Sequence, residues 1–345
     1  MNRYLVFVIL ALFIFGCIDF GGEKPKPNIT QNNTTVVINI EPQKNVTIVI
    51  NQTNETESRQ NQTTGQIVWR GPDYSYDPTE NLGVYFIDAC DYETGKSAAA
   101  TLVKKGDFDM LIDAGSVNSG PHVVEFLKSK GVDDIDVLVS SAEDPNRYSG
   151  LKKIADEFVV EEFWWNGQAT TQDYRDTISY VSGKALNTTT VSALYSRELN
   201  GIKIEVLNPT KLQSDIYNDA VVLKLTDRGK SILLLSNIVG GGQGYILNKY
   251  PEMLKNVDVM EAPYYGLGSG TAIIGVFLQS IKPKNVIING CSDETLEKEG
   301  STRLPFKRLM GQYGIRYLET YQNGTVKISV VSLSNETVDL GISAG

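Results

Sequence analysis

A chain of 345 residues, 41% hydrophobic and 21% charged, has length enough for a large core in one domain or two, and its composition excludes collagen-like and coiled-coil fibres. The formal net charge of −9 argues against a nucleic-acid partner, because phosphate contacts need clustered Lys and Arg. Three cysteines with no C-x-x-C pair, and His122 as the single histidine, exclude a zinc ribbon and a thioredoxin-type motif.

Along the chain, Arg3 precedes an apolar run from Tyr4 to Phe15. The run is shorter than the ~20 residues a membrane span needs and matches the core of a signal peptide. Ile14-Phe15-Gly16-Cys17 resembles a lipobox, in which a small residue precedes a cysteine that is lipidated and becomes amino-terminal. The alternative is an uncleaved signal anchor. Residues 1–17 are therefore read as the signal segment, with the membrane as partner through a lipid or signal anchor. Either route leaves the rest of the chain outside the cell, at the outer face of the cytoplasmic membrane.

Residues 18–80 form an Asn/Thr-rich stalk. Seven N-x-S/T sequons crowd it, at Asn28, Asn32, Asn33, Asn45, Asn51, Asn54 and Asn61, and three more follow at Asn187, Asn323 and Asn335. The enrichment fits a glycosylated, solvated stalk; a low-complexity linker without sugar has the same composition. Val36, Ile38 and Ile40, then Val46, Ile48 and Ile50, alternate with less apolar residues around Glu41-Pro42-Gln43-Lys44, the pattern of a small β-hairpin.

A globular domain is expected over 81–333, with a polar tail over 334–345. Apolar runs predict strands at Leu82–Ile87, Ala98–Val103, Met110–Ile112, Ile135–Val139, Phe158–Trp165, Ile202–Leu207, Val221–Leu225, Ile232–Leu235, Val257–Met260, Val286–Ile288, Ile315–Leu318 and Val326–Val331. Helical spacing marks Pro121–Lys130, Leu151–Phe158, Gly244–Lys249, Thr271–Ser280 and Thr302–Tyr313. Early strands followed by strand–helix alternation predict two sheets with helices on their outer faces. Gly240-Gly241-Gly242-Gln243-Gly244 lacks the Lys-Ser/Thr of a P-loop and reads as a flexible turn.

Five short strings, in order, resemble the metallo-β-lactamase fold, nearest to its extracellular version in ComEC-type DNA-uptake proteins. Phe86-Ile87-Asp88-Ala89-Cys90-Asp91 follows the family's "FIDVGQGDA" before diverging, and Leu111-Ile112-Asp113-Ala114-Gly115 keeps "LIDAG". The metal motif T-H-x-D-x-D-H-x-G-G-L meets Ser141-Ala142-Glu143-Asp144-Pro145-Asn146-Arg147-Tyr148-Ser149-Gly150-Leu151. Asn218-Asp219-Ala220-Val221-Val222-Leu223 follows "NDxSVVL", the strand that ends in the metal-bridging Asp ends here in Ser236-Asn237, and "VPHHGS" becomes Ala262-Pro263-Tyr264-Tyr265-Gly266.

The resemblance implies an α/β fold, a four-layer αββα sandwich preceded by the signal and stalk. It also implies a degenerate metal site at Ala142, Asp144, Asn146, Arg147, Asn237 and Tyr264. A catalytic zinc needs about three nitrogen, sulfur or carboxylate ligands and an open position. Alanine offers none, amides are poor ligands, and Arg147 places a permanent cation where metals would sit. No catalytic residue, metal or cofactor is expected, and the implied role is ligand binding or assembly with an unidentified protein, small molecule or glycan. The ligand pocket would be Asn146, Arg147, Asn237, Tyr264 and Tyr265. The alternative is a metal-dependent hydrolase with a carboxylate-based site drawn from Asp88, Asp91, Asp113, Glu143 and Asp144, which hard cations favour.

Residue chemistry offers blander roles as well. Asp144-Pro145 suits a helix N-cap with proline at the first helical position. Tyr264 and Tyr265 could fill the space that histidines and metals left, at least one of Trp164 and Trp165 belongs to the core, and His122 is expected to be exposed. In the fold this chain resembles, the strands before Cys90 and Cys291 end at one cleft rim, so a Cys90–Cys291 disulfide and two separate buried thiols are both open.

Overall fold

The computed structural model describes residues 34–38, 46–50 and 71–344, less 78, 268–272, 299 and 334–336. The signal segment, Cys17, the seven stalk sequons and Asn335 lie outside them. The chain divides into two compact units, Met1–Val68 and Trp69–Gly345. In the first, strands β1 (Thr34–Ile38) and β2 (Val46–Ile50) pair antiparallel, with Val36 opposite Ile48. The first strand lies two residues earlier than its alternation suggested.

The second unit holds two sheets. Strands β3 (Leu82–Phe86), β4 (Thr101–Lys105), β5 (Phe108–Ile112), β6 (Ile135–Val139), β7 (Val160–Trp165), β8 (Asn187–Thr190), β16 (Val326–Leu333) and β17 (Thr337–Ala344) form an eight-stranded sheet in the order β17-β16-β3-β4-β5-β6-β7-β8. Strands β9 (Ser196–Leu199), β10 (Ile202–Asn208), β11 (Val222–Asp227), β12 (Lys230–Leu234), β13 (Val259–Glu261), β14 (Asn285–Ile288) and β15 (Arg316–Glu319) form a seven-stranded one, ordered β15-β14-β13-β12-β11-β10-β9. In each sheet an antiparallel part leads into a parallel part: β5 to β8 in the first, β12 to β15 in the second.

Three apolar clusters define the layers. Leu82, Val84, Phe86, Val137, Trp164, Leu223 and Leu225 are among those that pack between the sheets. Leu102, Leu111 and Leu138 turn outward to helices α1 (Gly120–Ser129), α3 (Leu151–Glu157) and α4 (Gln172–Lys184). On the other side Leu233, Met260 and Val286 meet α5 (Gly240–Lys249), α6 (Gly275–Ile281) and α8 (Leu304–Gln312). This is the four-layer αββα sandwich. Strands β5 and β6 are buried at every position, which is why, apart from Asp109 and Asp136, they read as apolar runs rather than alternations.

Several elements differ from expectation. The glycines from Gly240 do not form a flexible turn; they are the start of α5, a helix read from sequence only from Gly244 onward. Residues 334–345 are not a free polar tail, since Thr337–Ala344 is the edge strand β17, paired with β16 from Val326↔Ala344 to Leu333↔Thr337. Helix α4 escaped notice because its surface is polar. It is capped by Thr171, which accepts from the Tyr174 amide, and buries Tyr174, Ile178 and Val181 at spacings of four and three. Trp164 is fully buried, and His122 on α1 is exposed.

At the base of β5, Asp109 is wholly buried and takes both its oxygens to Lys104 Nζ, at 3.0 and 2.8 Å. Burial pushes its carboxyl up to about 7; Lys104 works against the rise, and the nearby Asp133 and Asp134 add to it. A carboxyl whose folded pKa exceeds its unfolded one binds more protons when folded, so stability falls as pH rises from about 4 toward 7. The urea midpoint of the protein is expected to drop between pH 5 and 8, and Asp109→Asn to flatten that drop. An identical pH dependence in the variant would refute the assignment.

Candidate functional site

Strand order places the carboxyl ends of β5, β6, β12, β13 and β14 along one edge of the sandwich, the side where open α/β sheets present ligand-contacting loops. Asp113 follows β5 with a φ of 61°, and Ser236 follows β12 with a φ of 51°. Positive φ is uncommon for residues other than glycine and here aims both side chains inward. After β6 the chain turns into a short helix, α2 (Pro145–Tyr148), whose N-cap is Asp144: its Oδ1 accepts from the Asn146 amide at 2.9 Å. Gly150 closes this segment against Ala114, where an added Cβ would lie 2.0 Å from the carbonyl oxygen. No larger residue permits that approach, and it carries Arg147 to Asp113.

Arg147 is the hub, with 2% of its side chain exposed. Its Nε donates to Asn237 Oδ1 at 2.6 Å, Nη1 to Asp113 Oδ2 at 2.9 Å, and Nη2 to Glu261 Oε1 at 3.1 Å. The Tyr265 ring covers one face of the guanidinium, 4.8 Å from its carbon to the ring centroid. The ligands are themselves held. Asp113 accepts from the Ser141 amide and hydroxyl, at 2.8 and 2.5 Å. Glu261 accepts from the Ser236 amide at 2.9 Å and from Asn289 Nδ2 at 3.0 Å. Asn237 Nδ2 and the Tyr265 hydroxyl both donate to Asp144 Oδ2, at 2.7 and 2.9 Å.

Burial works against the Arg147 charge, but Glu261, Tyr265 and Asp113 outweigh it, so the guanidinium is held protonated. Burial also pushes the Asp113 carboxyl up, while Arg147 and the two Ser141 bonds pull it down. A desolvated ion pair keeps its charges only when each is hydrogen-bonded on several sides, as these are.

Of the expected pocket, the structure brings together Arg147, Asn237 and Tyr265, but as a closed cluster. Their polar atoms face one another, so they do not line an open pocket, and this corrects the sequence reading. Asn146 and Tyr264 are half-buried at its margin; the Tyr264 ring stands 5.1 Å from that of Tyr217. Tyr264 and Tyr265 have φ of 47° and 57°, a strained turn for aromatic residues. Ala142 is buried, and its side chain offers no polar atom.

The carboxylates of the alternative metal site do not gather. Asp88 accepts from the Tyr92 hydroxyl at 2.7 Å, Asp91 from Ser116 and Asn118, and Glu143 from Thr170 and Thr171. Among the described residues no three His, Cys, Asp or Glu side chains converge as a metal site. Of the two sequons within the described residues, Asn187 Nδ2 donates to Thr189 at 3.2 Å and Asn323 Nδ2 to the Glu319 carbonyl at 2.8 Å. Cys90 and Cys291 are joined by a disulfide, their Cα atoms 4.8 Å apart.

Glu261, Ser236 and Asn289 were not singled out from sequence. Glu261 carried a signal, as an acidic residue inside an apolar strand directly before Ala262-Pro263. Ser236 carried none, because hydroxyls at strand ends are common.

No family model matches the chain, and no curated protein sequence does. Solved structures do. The metallo-β-lactamase fold protein YhfI from Bacillus subtilis aligns with a TM-score of 0.50 at 10% identity, over 72% of this chain and 99% of that one. CmlA, a diiron β-hydroxylase from Streptomyces venezuelae, gives 0.46 at 10% identity, over 74% of this chain and 55% of that one. MEM-A1, a subclass B3 metallo-β-lactamase isolated from a soil metagenome library, gives 0.36 at 15% identity, over 58% and 83%. The likeness to YhfI is one of fold: this unit is a metallo-β-lactamase-type sandwich.

Proposed function

We propose that the domain is a non-catalytic relative of the ComEC-type metallo-β-lactamase proteins, acting in ligand binding or assembly at the cell surface. One observation carries the reading: Arg147, at a position that the sequence resemblance gives to a metal ligand, is buried with its guanidinium between Asp113 and Glu261. A covalently supplied cation there neutralises two buried carboxylates without a metal. The remaining donors do not suit a metal. Asp144 is the one carboxylate kept among the motif positions, and its oxygens serve Asn146, Asn237 and Tyr265. No activated nucleophile replaces the metal either. The Ser141 hydroxyl is buried and shared with Asp113 and Ser236, with no imidazole beside it.

Anchoring through Cys17, by lipid or as a signal anchor, places this domain outside the cytoplasmic membrane on a stalk carrying sugars at its sequons. An extracytoplasmic site agrees with the Cys90–Cys291 disulfide, since such bonds persist in oxidising compartments.

The decisive measurement is metal content. Protein dialysed against chelator, reloaded with excess zinc and passed over a desalting column is expected to retain less than a tenth of an equivalent, and to hydrolyse no β-lactam or phosphodiester above background. Two retained equivalents would overturn the proposal.

A further inference from the structure

The outer face of the eight-stranded sheet carries a second feature, which shares no residue with the Arg147 cluster. A trough of about 300 Å³ follows β16 and β3 beside β4, lined among others by Asn81, Gly83, Tyr85, Lys104, Lys327 and Ser329. Two small residues, Gly83 and Ser329, stand opposite each other at its middle. The adjacent row sets Lys327 opposite Tyr85. Gly83 allows the Tyr85 ring to lie down along its own strand, for a Cβ at 83 would come 2.8 Å from the ring.

Two ammonium groups flank that ring, Lys327 Nζ at 5.2 Å and Lys130 Nζ at 5.5 Å from its centroid. Among the described residues neither lysine makes an ion pair, unlike Lys104, which is paired with Asp109. Glu80 is the acidic residue on the wall. An aromatic face between two uncompensated cations, in a chain of net charge −9, is a local inversion of the protein's field.

We infer that this trough binds an acidic sugar chain, one pyranose face stacked on Tyr85 and its carboxylate paired with Lys327 and Lys130. The trough runs along β3 and β16, from Tyr85 and Lys327 at one end to Asn81 and Val331 at the other. Four residue steps of strand at about 3.3 Å each give a floor roughly 13 Å long, enough for two sugar rings. Two cations are too few for the phosphate ladder of a nucleic acid.

The test is calorimetric titration of the full-length protein with α-1,4-linked trigalacturonate and with neutral maltotriose. Trigalacturonate is expected to bind and maltotriose not to. Lys327→Gln and Lys130→Gln, surface changes that leave the core intact, should each weaken binding several-fold, and the double variant at least about ten-fold, or 1.4 kcal/mol. Tyr85→Ala, with unchanged thermal unfolding as its control, should abolish it. Equal binding of both trisaccharides, no binding of either, or unchanged affinity in the double lysine variant would overturn the inference. So would binding to phosphatidylglycerol vesicles without binding to trigalacturonate, which would assign the patch to a membrane surface.

Discussion

Arg147→Met is expected to destabilise the domain by about 3–5 kcal/mol, the range seen when one partner of a buried ion pair is removed and the other is left uncompensated. Methionine fills much of the volume but leaves Asp113 and Glu261 facing each other without a cation, in a site that water does not reach. Arg147→Lys should recover part of the loss. Lysine restores the charge, yet a point ammonium cannot serve Asn237, Asp113 and Glu261 together as the planar fork does. The pH dependence has a definite sign. With Arg147 gone, only the two Ser141 bonds oppose the burial that already pushes Asp113 up. A carboxyl protonated when folded and ionised when unfolded favours folding at low pH, so the variant's deficit should be smallest near pH 5 and grow toward pH 8. Arg147→Ala adds a discriminating arm. It leaves a hole of guanidinium shape, and millimolar guanidinium ion, far below denaturing levels, is expected to raise its unfolding temperature while leaving the parent unchanged. Urea unfolding at the two pH values measures all of this. A loss under about 1 kcal/mol, typical of surface positions, would show that the cluster is incidental to the fold.

The sandwich itself was legible because its central strands are buried on both faces. Phe108–Ile112 and Ile135–Val139 can be little else than interior strands, and Asp113-Ala114-Gly115 marks where the first of them turns. That Arg147 and Asn237 belong to one site was legible too, since both fall within the strings that carry the resemblance. What those residues do to one another was not. Arg147 and Glu261 are 114 positions apart, and only the parallel order β12-β13-β14 brings Glu261 to the same edge as the β6 loop. Sequence suggested a cleft with polar walls; folding turned the same side chains inward until they satisfied each other. Helix α4 was missed for a related reason, since its burial comes from packing against neighbours and its own polar composition carries little of it. Strand β17 did carry a signal, the alternation of Val338, Leu340 and Ile342 with Asp339, Gly341 and Ser343, which the reading of a polar tail passed over.

The Cys90–Cys291 bridge is expected to contribute about 4–5 kcal/mol, because it closes a loop with a sequence separation of 201 and the entropy it removes from the unfolded chain grows with loop length. Its placement makes that estimate apply to the sandwich as a whole. Cys90 follows β3 in one sheet and Cys291 follows β14 in the other, so the crosslink joins the two sheets at the edge where Arg147 also bridges them. The Cα separation of 4.8 Å lies within the span that disulfides occupy. Hydrogen bonds hold the same junction. The Cys291 amide donates to Ser97 Oγ at 3.1 Å, and Arg303, itself buried, donates to the Cys291 carbonyl and to Ser97 Oγ at 2.5 and 3.0 Å. Because these remain when the sulfurs part, the Cys90→Ser/Cys291→Ser variant should fold to the same sandwich with a lower urea midpoint. Its m-value should rise, since an uncrosslinked unfolded chain exposes more surface. Thiol titration of the denatured, unreduced parent is expected to find neither Cys90 nor Cys291 reactive. Two reactive thiols from those positions, or a double variant with the parent's midpoint, would remove the bridge from any account of how this arginine-centred sandwich is held together.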